Sequence, residues 1–343
     1  MRAGSTIEEK EHAVFSGQFT LPEKAKIPLK DKLPKVIVIS GLTAVGKTKL
    51  SLLIAHAIGG EIVSADSMQV YKGMDIGTAK VSLKEREATP HYLIDIREIS
   101  ESFNVVDFYF EAHKAIQEVL ARGAVPIVVG GTGFYIRALI YGPPNGPPSI
   151  TDVRSKFEAE MLDKGPDVMY ERLKKIDPDY ALTITANDKQ KIIRAFEIIT
   201  LTDRKVSHFS KQTSSEMLSY DFRCWFLYKD KEIIYPSIEA RCEQMLKDGF
   251  LEEVKTLEKQ GLSKNSTASQ AIGYRQCLDY LLSSQSEEDW QKFLTAFKQA
   301  SRRYAKRQFT WFRKETLFRW LDMQAVSFEH AAEMIIQDYE GSF

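Results

Sequence analysis

A chain of 343 residues with 43% apolar content and 12 prolines is long enough to bury one large core or two modest ones. Lys plus Arg and Asp plus Glu number 47 each, so overall charge says nothing for nucleic acid and only local clustering can. Cys224, Cys242 and Cys277 form no C-x-x-C pair, which excludes a zinc ribbon, redox pair or disulfide framework and fits a reducing cytoplasm; no apolar run approaches the roughly 18 residues of a membrane span.

Residues 1–34 are charged, carry Pro22, Pro28 and Pro34, and lack sustained periodicity or a secretory apolar stretch, so they read as a mobile extension. Several glutamates argue against an organellar targeting segment there. Val36 to Ser40 is a short β-branched run stopped by Gly41, and Lys47 to Ile58 is apolar at Leu50, Leu53, Ile54 and Ile58 with helical spacing. This is strand, tight loop, helix. Glu61 to Ala65, Tyr92 to Asp95 and Ala124 to Val129 are further short buried strands, separated by helical stretches such as Val106 to Arg122. The alternation predicts an α/β fold, a parallel sheet flanked by helices, with its first part over residues 35–148.

GPPNGPP at 142–148 interrupts the pattern, because proline fixes φ and removes a donor while glycine loosens the chain. Residues 149–207 then have helical periodicity and no convincing strand, with Asn187 or Asp188 placed to cap a helix through Lys191, Arg194 and Glu197. They predict an inserted all-helical subdomain. Phe222 to Tyr228 returns the chain to the sheet, and long helices fill most of the remainder of 208–343.

Gly41-Leu42-Thr43-Ala44-Val45-Gly46-Lys47-Thr48 fits G-x-x-x-x-G-K-[ST] between a strand and a helix, the context a P-loop requires. Backbone N–H groups and the helix N-terminus face one anion, Lys47 reaches terminal phosphate oxygens, and Thr48 can ligate Mg²⁺. The motif is strong for a diphosphate or triphosphate and weak for reaction type. A small-molecule kinase is therefore the first reading to weigh. Asp66 follows the second strand, so its carboxylate emerges beside the P-loop at the carboxyl end of the sheet. It can serve there as a base; a water-mediated Mg²⁺ ligand and a cap on the following segment are the plainer alternatives.

Four separated runs carry a resemblance that spans nearly the whole chain after residue 35. DSMQVYKGMDIGTAK at 66–80, GGTGFY at 130–135, QAIGYRQ at 270–276 and RRYAKRQFTWFR at 302–313 resemble the tRNA dimethylallyltransferases, the IPP transferase family, in their bacterial form. The resemblance implies a P-loop NTPase-like core, a tRNA-binding helical insertion and tRNA-contacting C-terminal helices. It implies transfer of a dimethylallyl group from dimethylallyl diphosphate to the exocyclic amine of the adenosine 3′-adjacent to the anticodon, in an anticodon stem-loop; because tRNA meets one enzyme at a time, a monomer is expected. The adenylate isopentenyltransferases resemble the same family and differ in acceptor. A non-catalytic RNA-binding P-loop protein is a third reading, disfavoured by intact Lys47, Thr48 and Asp66.

The amine is a poor nucleophile, so proton removal by Asp66 helps attack, while the P-loop amides, Lys47 and Mg²⁺ stabilise the departing diphosphate. By resemblance Thr43 bonds near the reacting amine or bridging oxygen, and Asp66, Ser67, Met68, Gln69, Thr132 and Arg154 contact the tRNA. Gln190, Lys191 and Arg194 stand where the family has a tRNA-contacting helix, with Lys191 at a usual arginine, which forfeits a planar fork. Gln270, Gly273, Tyr274 and Arg275 resemble a substrate-contacting junction. Ser237 replaces the first of two usual arginines, leaving Arg241 for the diphosphate or tRNA, with a surface salt bridge as the alternative.

The segment 301–314 holds Arg302, Arg303, Lys306, Arg307, Arg313 and Lys314 with no acid, interleaved with Tyr304, Phe309, Trp311 and Phe312. An RNA channel needs such residues, Gln308 included by resemblance; a basic amphipathic helix with an aromatic core stripe would show the same pattern.

Overall fold

The structure, a computed structural model, describes residues 33–210 and 220–341. The extension expected over residues 1–34 falls almost wholly outside them. One compact unit contains the described residues of Met1–Ile140 and Leu218–Phe343, the other those of Tyr141–Met217.

In the first unit six strands, β1 (Lys35–Gly41), β2 (Gly60–Ser64), β3 (His91–Tyr92), β4 (Val125–Val129), β5 (Asp221–Tyr228) and β6 (Arg319–Asp322), form one sheet in the order β3-β2-β4-β1-β5-β6. Every pairing is parallel. Val36 to Ile39 are fully buried, as expected of strands covered on both faces. The predicted P-loop NTPase-like α/β sheet is thus present. The third strand is shorter than the Tyr92 to Asp95 run suggested, because Leu93 and Asp95 take positive φ, at 63° and 56°. The edge strand β6 has no counterpart in the sequence reading.

Helices α1 (Lys47–Ile58), α2 (Leu83–Ala88), α3 (Val105–Ala121) and α4 (Gly133–Tyr141) follow successive strands. At α3 the Asn104 side chain accepts the N–H of Val106 and Asp107, while the Asp107 carboxylate accepts the Asn104 N–H, a reciprocal cap that fixes where the helix starts.

The second unit contains α5 (Thr151–Ile176), α6 (Pro178–Ala181), α7 (Lys189–Thr202) and α8 (Val206–Ser210). Gly165, with φ 78°, and Pro166 kink α5. Met161, Met169, Leu173, Ile192 and Phe196 make its core. Asp188 stands at the N-cap of α7, but its carboxylate accepts from Thr185 N and Oγ1 and pairs with the Lys191 ammonium, and takes no backbone N–H of the helix. The buried Glu197 carboxylate accepts from Ser149 Oγ at 2.6 Å, Ile150 N at 2.7 Å and Arg194 Nη1 at 2.6 Å, tying the start of α5 to α7.

The first unit is completed by α9 (Lys231–Lys247), α10 (Phe250–Lys259), α11 (Tyr274–Leu281), α12 (Glu287–Phe312) and α13 (Phe328–Glu340). Register sets the functional edge: Ile39 of β1 and Ser64 of β2 both pair with Val129 of β4. The segments that follow these three strands therefore leave the sheet side by side at its carboxyl end, where open α/β sheets bind ligands.

Candidate active site

The loop after β1 turns into α1 through Gly46, whose φ of 101° belongs to the left-handed region. A Cβ there would also stand 2.5 Å from the Phe328 ring, so glycine is required twice over. Lys47 Nζ folds back to donate to the carbonyls of Gly41 at 2.9 Å and Leu42 at 2.8 Å. Its ammonium is held down at about 7, chiefly by burial and next by the charge of Arg241, while Asp66 opposes the shift. Thr48, at the start of α1, is exposed.

Asp66 lies two residues past β2. Its Oδ1 accepts the N–H of Met68 at 2.8 Å and of Gln69 at 3.3 Å. The capping alternative thus describes one oxygen; Oδ2 has no hydrogen-bond donor among the described residues. Gln69 Oε1 accepts from Ser64 Oγ and its Nε2 donates to the Thr78 carbonyl, so this side chain braces the loop. Ser67 N donates to Thr132 Oγ1 at 3.1 Å, joining the Asp66 loop to the glycine loop after β4.

Two cavities meet at these residues. One, of about 350 Å³, lies over the P-loop and includes Gly46, Lys47 and Thr48 in its wall. The other, of about 280 Å³, is bounded by Met68, Ile238, Met245, Ile272, Tyr274 and Phe297 among others. Thr43, Asp66, Thr78, Arg241 and Tyr304 belong to both walls. A polar cavity and a more apolar one thus share a partition that carries a carboxylate and a guanidinium. Thr78 and Tyr304 were not singled out as site residues from sequence, although each lies inside a motif run.

Arg241 projects from α9. Among the described residues it makes no ion pair or hydrogen bond, so the surface salt bridge is not found. Burial depresses its pKa, with Cys242 and Asp66 pulling the other way. A desolvated, unpaired guanidinium facing a cavity is suited to an anion. Ser237 bonds back to the Ile233 carbonyl within α9 and lines the P-loop cavity.

Several expected RNA contacts are occupied otherwise. Gln308 is buried, its Oε1 accepting Thr43 N at 2.8 Å and its Nε2 donating to the Gly131 carbonyl at 3.2 Å. Tyr274 is fully buried and donates its hydroxyl to Glu253 at 2.6 Å. Both side chains serve the interior, because each closes hydrogen bonds between two segments of the core. Gly273, with φ 89°, lies against Phe297 and Phe250. Arg302 is paired with Glu239. Gln270, Arg275, Arg303 and Arg307 are exposed, Lys306 is half-buried, and Arg307 stacks its guanidinium on Tyr304 at 5.6 Å. Phe309 and Phe312 are core, packed on Trp320 and Phe226, so the aromatic stripe divides between core and surface.

In the second unit Arg154 pairs with Glu158 and bonds Gln190, Lys191 pairs with Asp188, and Arg194 binds Glu197 and the Pro147 carbonyl. These cations are partly neutralised within their own unit.

A P-loop whose neighbouring wall offers a carboxylate defines a phosphate-binding enzyme with room for a second substrate. The profile of the IPP transferase family matches residues 69–315. The chain is 54% identical over 324 residues to the tRNA dimethylallyltransferase of Protochlamydia amoebophila, covering 94% of each chain, and 48% identical over 305 residues to that of Chlamydia pneumoniae, covering 89% of each. Among solved structures, a full-length tRNA isopentenylpyrophosphate transferase from Bacillus halodurans matches with TM-score 0.66 and 38% identity, over 90% of this chain and 96% of that one. A eukaryotic dimethylallyltransferase described as acting on tRNA matches with TM-score 0.70 and 31% identity, over 84% of this chain and 74% of that one. The chain belongs to the IPP transferase family.

Proposed function

We propose that this protein transfers a dimethylallyl group from dimethylallyl diphosphate to the exocyclic amine of the adenosine 3′-adjacent to the anticodon in tRNA, releasing diphosphate. The observation that carries the chemistry is Asp66 in the partition between the two cavities. A diphosphate over the P-loop sets its allylic carbon towards that partition, and an adenine from the other side meets it there. The amine nitrogen bonds the allylic carbon, the carbon–oxygen bond breaks with its electrons leaving on diphosphate, and the amine proton passes to Asp66 Oδ2. Lys47 and Arg241 hold the anion as its charge grows, which favours the transition state over the bound substrate. Thr43 N is committed to Gln308, so its hydroxyl is the group left to serve the reacting atoms.

The donor set fits Mg²⁺ held sparsely. No cluster of three His, Cys, Asp or Glu suited to a metal exists among the described residues, so Thr48 and substrate phosphate oxygens would hold it. When bound, Mg²⁺ would supply further neutralisation of the leaving diphosphate.

Exposed Gln270, Arg275, Arg303 and Arg307, with Ser67, Met68 and Thr132 at the crevice, are the side chains we assign to tRNA in the first unit; Arg154, Gln190, Lys191 and Arg194 are those of the insertion. The protein acts as a monomer in the cytoplasm on this reading, and three free, buried cysteines fit a reducing compartment. No described helix is long and apolar enough to cross a membrane.

The test is mass analysis of unmodified tRNA after incubation with dimethylallyl diphosphate. One prenyl mass per tRNA is expected, lost with Asp66→Asn at retained donor binding. No added mass on any suitable tRNA removes the proposal, and preferential alkylation of AMP in competition moves it to a free-nucleotide acceptor.

A further inference from the structure

Beyond the crevice, two large aromatic side chains of different elements meet at the surface. Phe134, in the first turn of α4, and Trp311, near the end of α12, are 43% and 38% exposed. Their ring centroids are 6.4 Å apart at an interplanar angle of 77°. The indole is built into the glycine loop: a Cβ on Gly133 would stand 2.4 Å from Trp311 Cδ1 and 2.5 Å from Nε1. That loop is the one whose Thr132 bonds the Asp66 loop, and its Gly131, three residues before Phe134, lines the P-loop cavity together with Gln308, three residues before Trp311. An edge-to-face pair shows water a flat apolar face beside a perpendicular edge.

The surroundings select the partner. Six Lys or Arg and no acid occupy residues 301–314. The nearest acid along the chain, Glu315, is buried and paired with Arg137 at 2.8 Å. Helical spacing sets Arg307 four residues before Trp311 and Lys314 three after it, and an apolar face flanked by cations suits a polyanion that carries flat rings, which is single-stranded RNA with splayed bases.

We infer that Phe134 and Trp311 form a stacking platform for a base flanking the target adenosine, holding the acceptor strand at the mouth of the crevice. The inference rests on the proposed tRNA alkylation. The residue pattern at 301–314 fits Trp311 to core or channel alike and carries no signal for Phe134; their contact needs the fold.

The experiment uses the full chain, dimethylallyl diphosphate and an anticodon stem-loop carrying 2-aminopurine beside the target. Phe134→Ala and Trp311→Ala should each raise KM for the RNA between about fivefold and a hundredfold. They should leave KM for dimethylallyl diphosphate within about twofold and abolish the stacking-induced quenching of 2-aminopurine. Phe134→Tyr and Trp311→Phe should restore both readouts. Quenching and KM unchanged in both alanine variants overturn the platform, as does loss in the aromatic-retaining variants equal to that in the alanine ones, which would indicate packing alone. Should Trp311→Ala misfold, the more exposed Phe134→Ala with Trp311→Phe decides. A wild-type protein that alkylates no RNA overturns the proposed function, a result distinct from active wild type with indifferent variants.

Discussion

Gln308 Oε1 accepts the backbone N–H of Thr43 at 2.8 Å, joining α12 to the P-loop across 265 residues of chain. The same amide donates to Gly131, so one buried side chain fixes two of the three loops at the carboxyl edge of the sheet. Gln308→Leu leaves the Thr43 donor unpaired, at a cost of about 1–3 kcal/mol when buried, and leaves the Gly131 carbonyl with only the Tyr304 hydroxyl at 3.3 Å. Thermal unfolding should show Tm lower by several degrees, and kcat should fall with it as the P-loop loosens. Gln308→Glu keeps the acceptor for Thr43 and should recover part of both losses. An unchanged Tm in Gln308→Leu would show that the two loops hold each other without the amide.

Lys47 titrates in an unusual range. Burial and the nearby Arg241 charge bring its pKa to about 7 against the opposing pull of Asp66. Diphosphate binds the ammonium form, so donor affinity is full below about pH 7. Above it, affinity weakens by up to about tenfold per pH unit until the bound-state pKa is reached. Calorimetry of dimethylallyl diphosphate binding from pH 6 to 9, in two buffers of different ionisation heat, should reveal proton uptake in the upper half of the range. Lys47→Arg does not titrate and should flatten the profile. A wild-type profile already flat would place the ammonium's pKa far above 7.

Arg241 is desolvated and unpaired among the described residues, so it costs stability that only an anion returns. Arg241→Met should therefore raise Tm of the free protein while weakening diphosphate binding by about 10- to 100-fold, the loss of one or two charge-assisted bonds. The Tm increase produced by saturating diphosphate should shrink accordingly. A variant that loses stability without ligand would mean that Arg241 has a structural partner in solution.

The sheet was legible where strands are buried on both faces: Val36 to Ser40, Glu61 to Ala65 and Ala124 to Val129 announce themselves as apolar runs ending in loops. The P-loop was legible because its glycines and Lys47 have few other uses together. The edge strand β6 was not, since Arg-Trp-Leu-Asp at 319–322 is four residues long and charged at both ends. Tyr274 and Gln308 show a different limit. A motif marks a position as important, but whether the side chain faces substrate or neighbour depends on helix rotation, which a pattern of residue types does not fix. Glu253 was invisible for the opposite reason: in FLEEVKTLEK it looks like one more solvated acid on an amphipathic helix.

Glu253 nevertheless takes four hydrogen bonds. Its Oε2 accepts the N–H of Asp75 at 3.0 Å and Ile76 at 2.6 Å, and its Oε1 accepts Gly77 N at 3.1 Å and the Tyr274 hydroxyl at 2.6 Å. The carboxylate thereby pins residues 75–77 to α10 and α11, next to Thr78, which lines both cavities. Lys80, buried and bonded to the Tyr71 carbonyl and to Asp75 and Asp95, anchors the other end of the loop. Glu253→Gln turns one accepting oxygen into a donor, so both bonds to Asp75 and Ile76 are lost if the amide nitrogen takes the Oε2 place, and the bond to Gly77 is lost if it takes the Oε1 place, where the Tyr274 hydroxyl can turn to accept. Hydrogen exchange at residues 75–78 should accelerate by about tenfold or more, while exchange in β1 and β4 stays unchanged. Because Thr78 moves with the loop, kcat should fall although Glu253 is not in either cavity wall. Faster exchange at unaltered kcat would show that the loop's position does not govern the reaction.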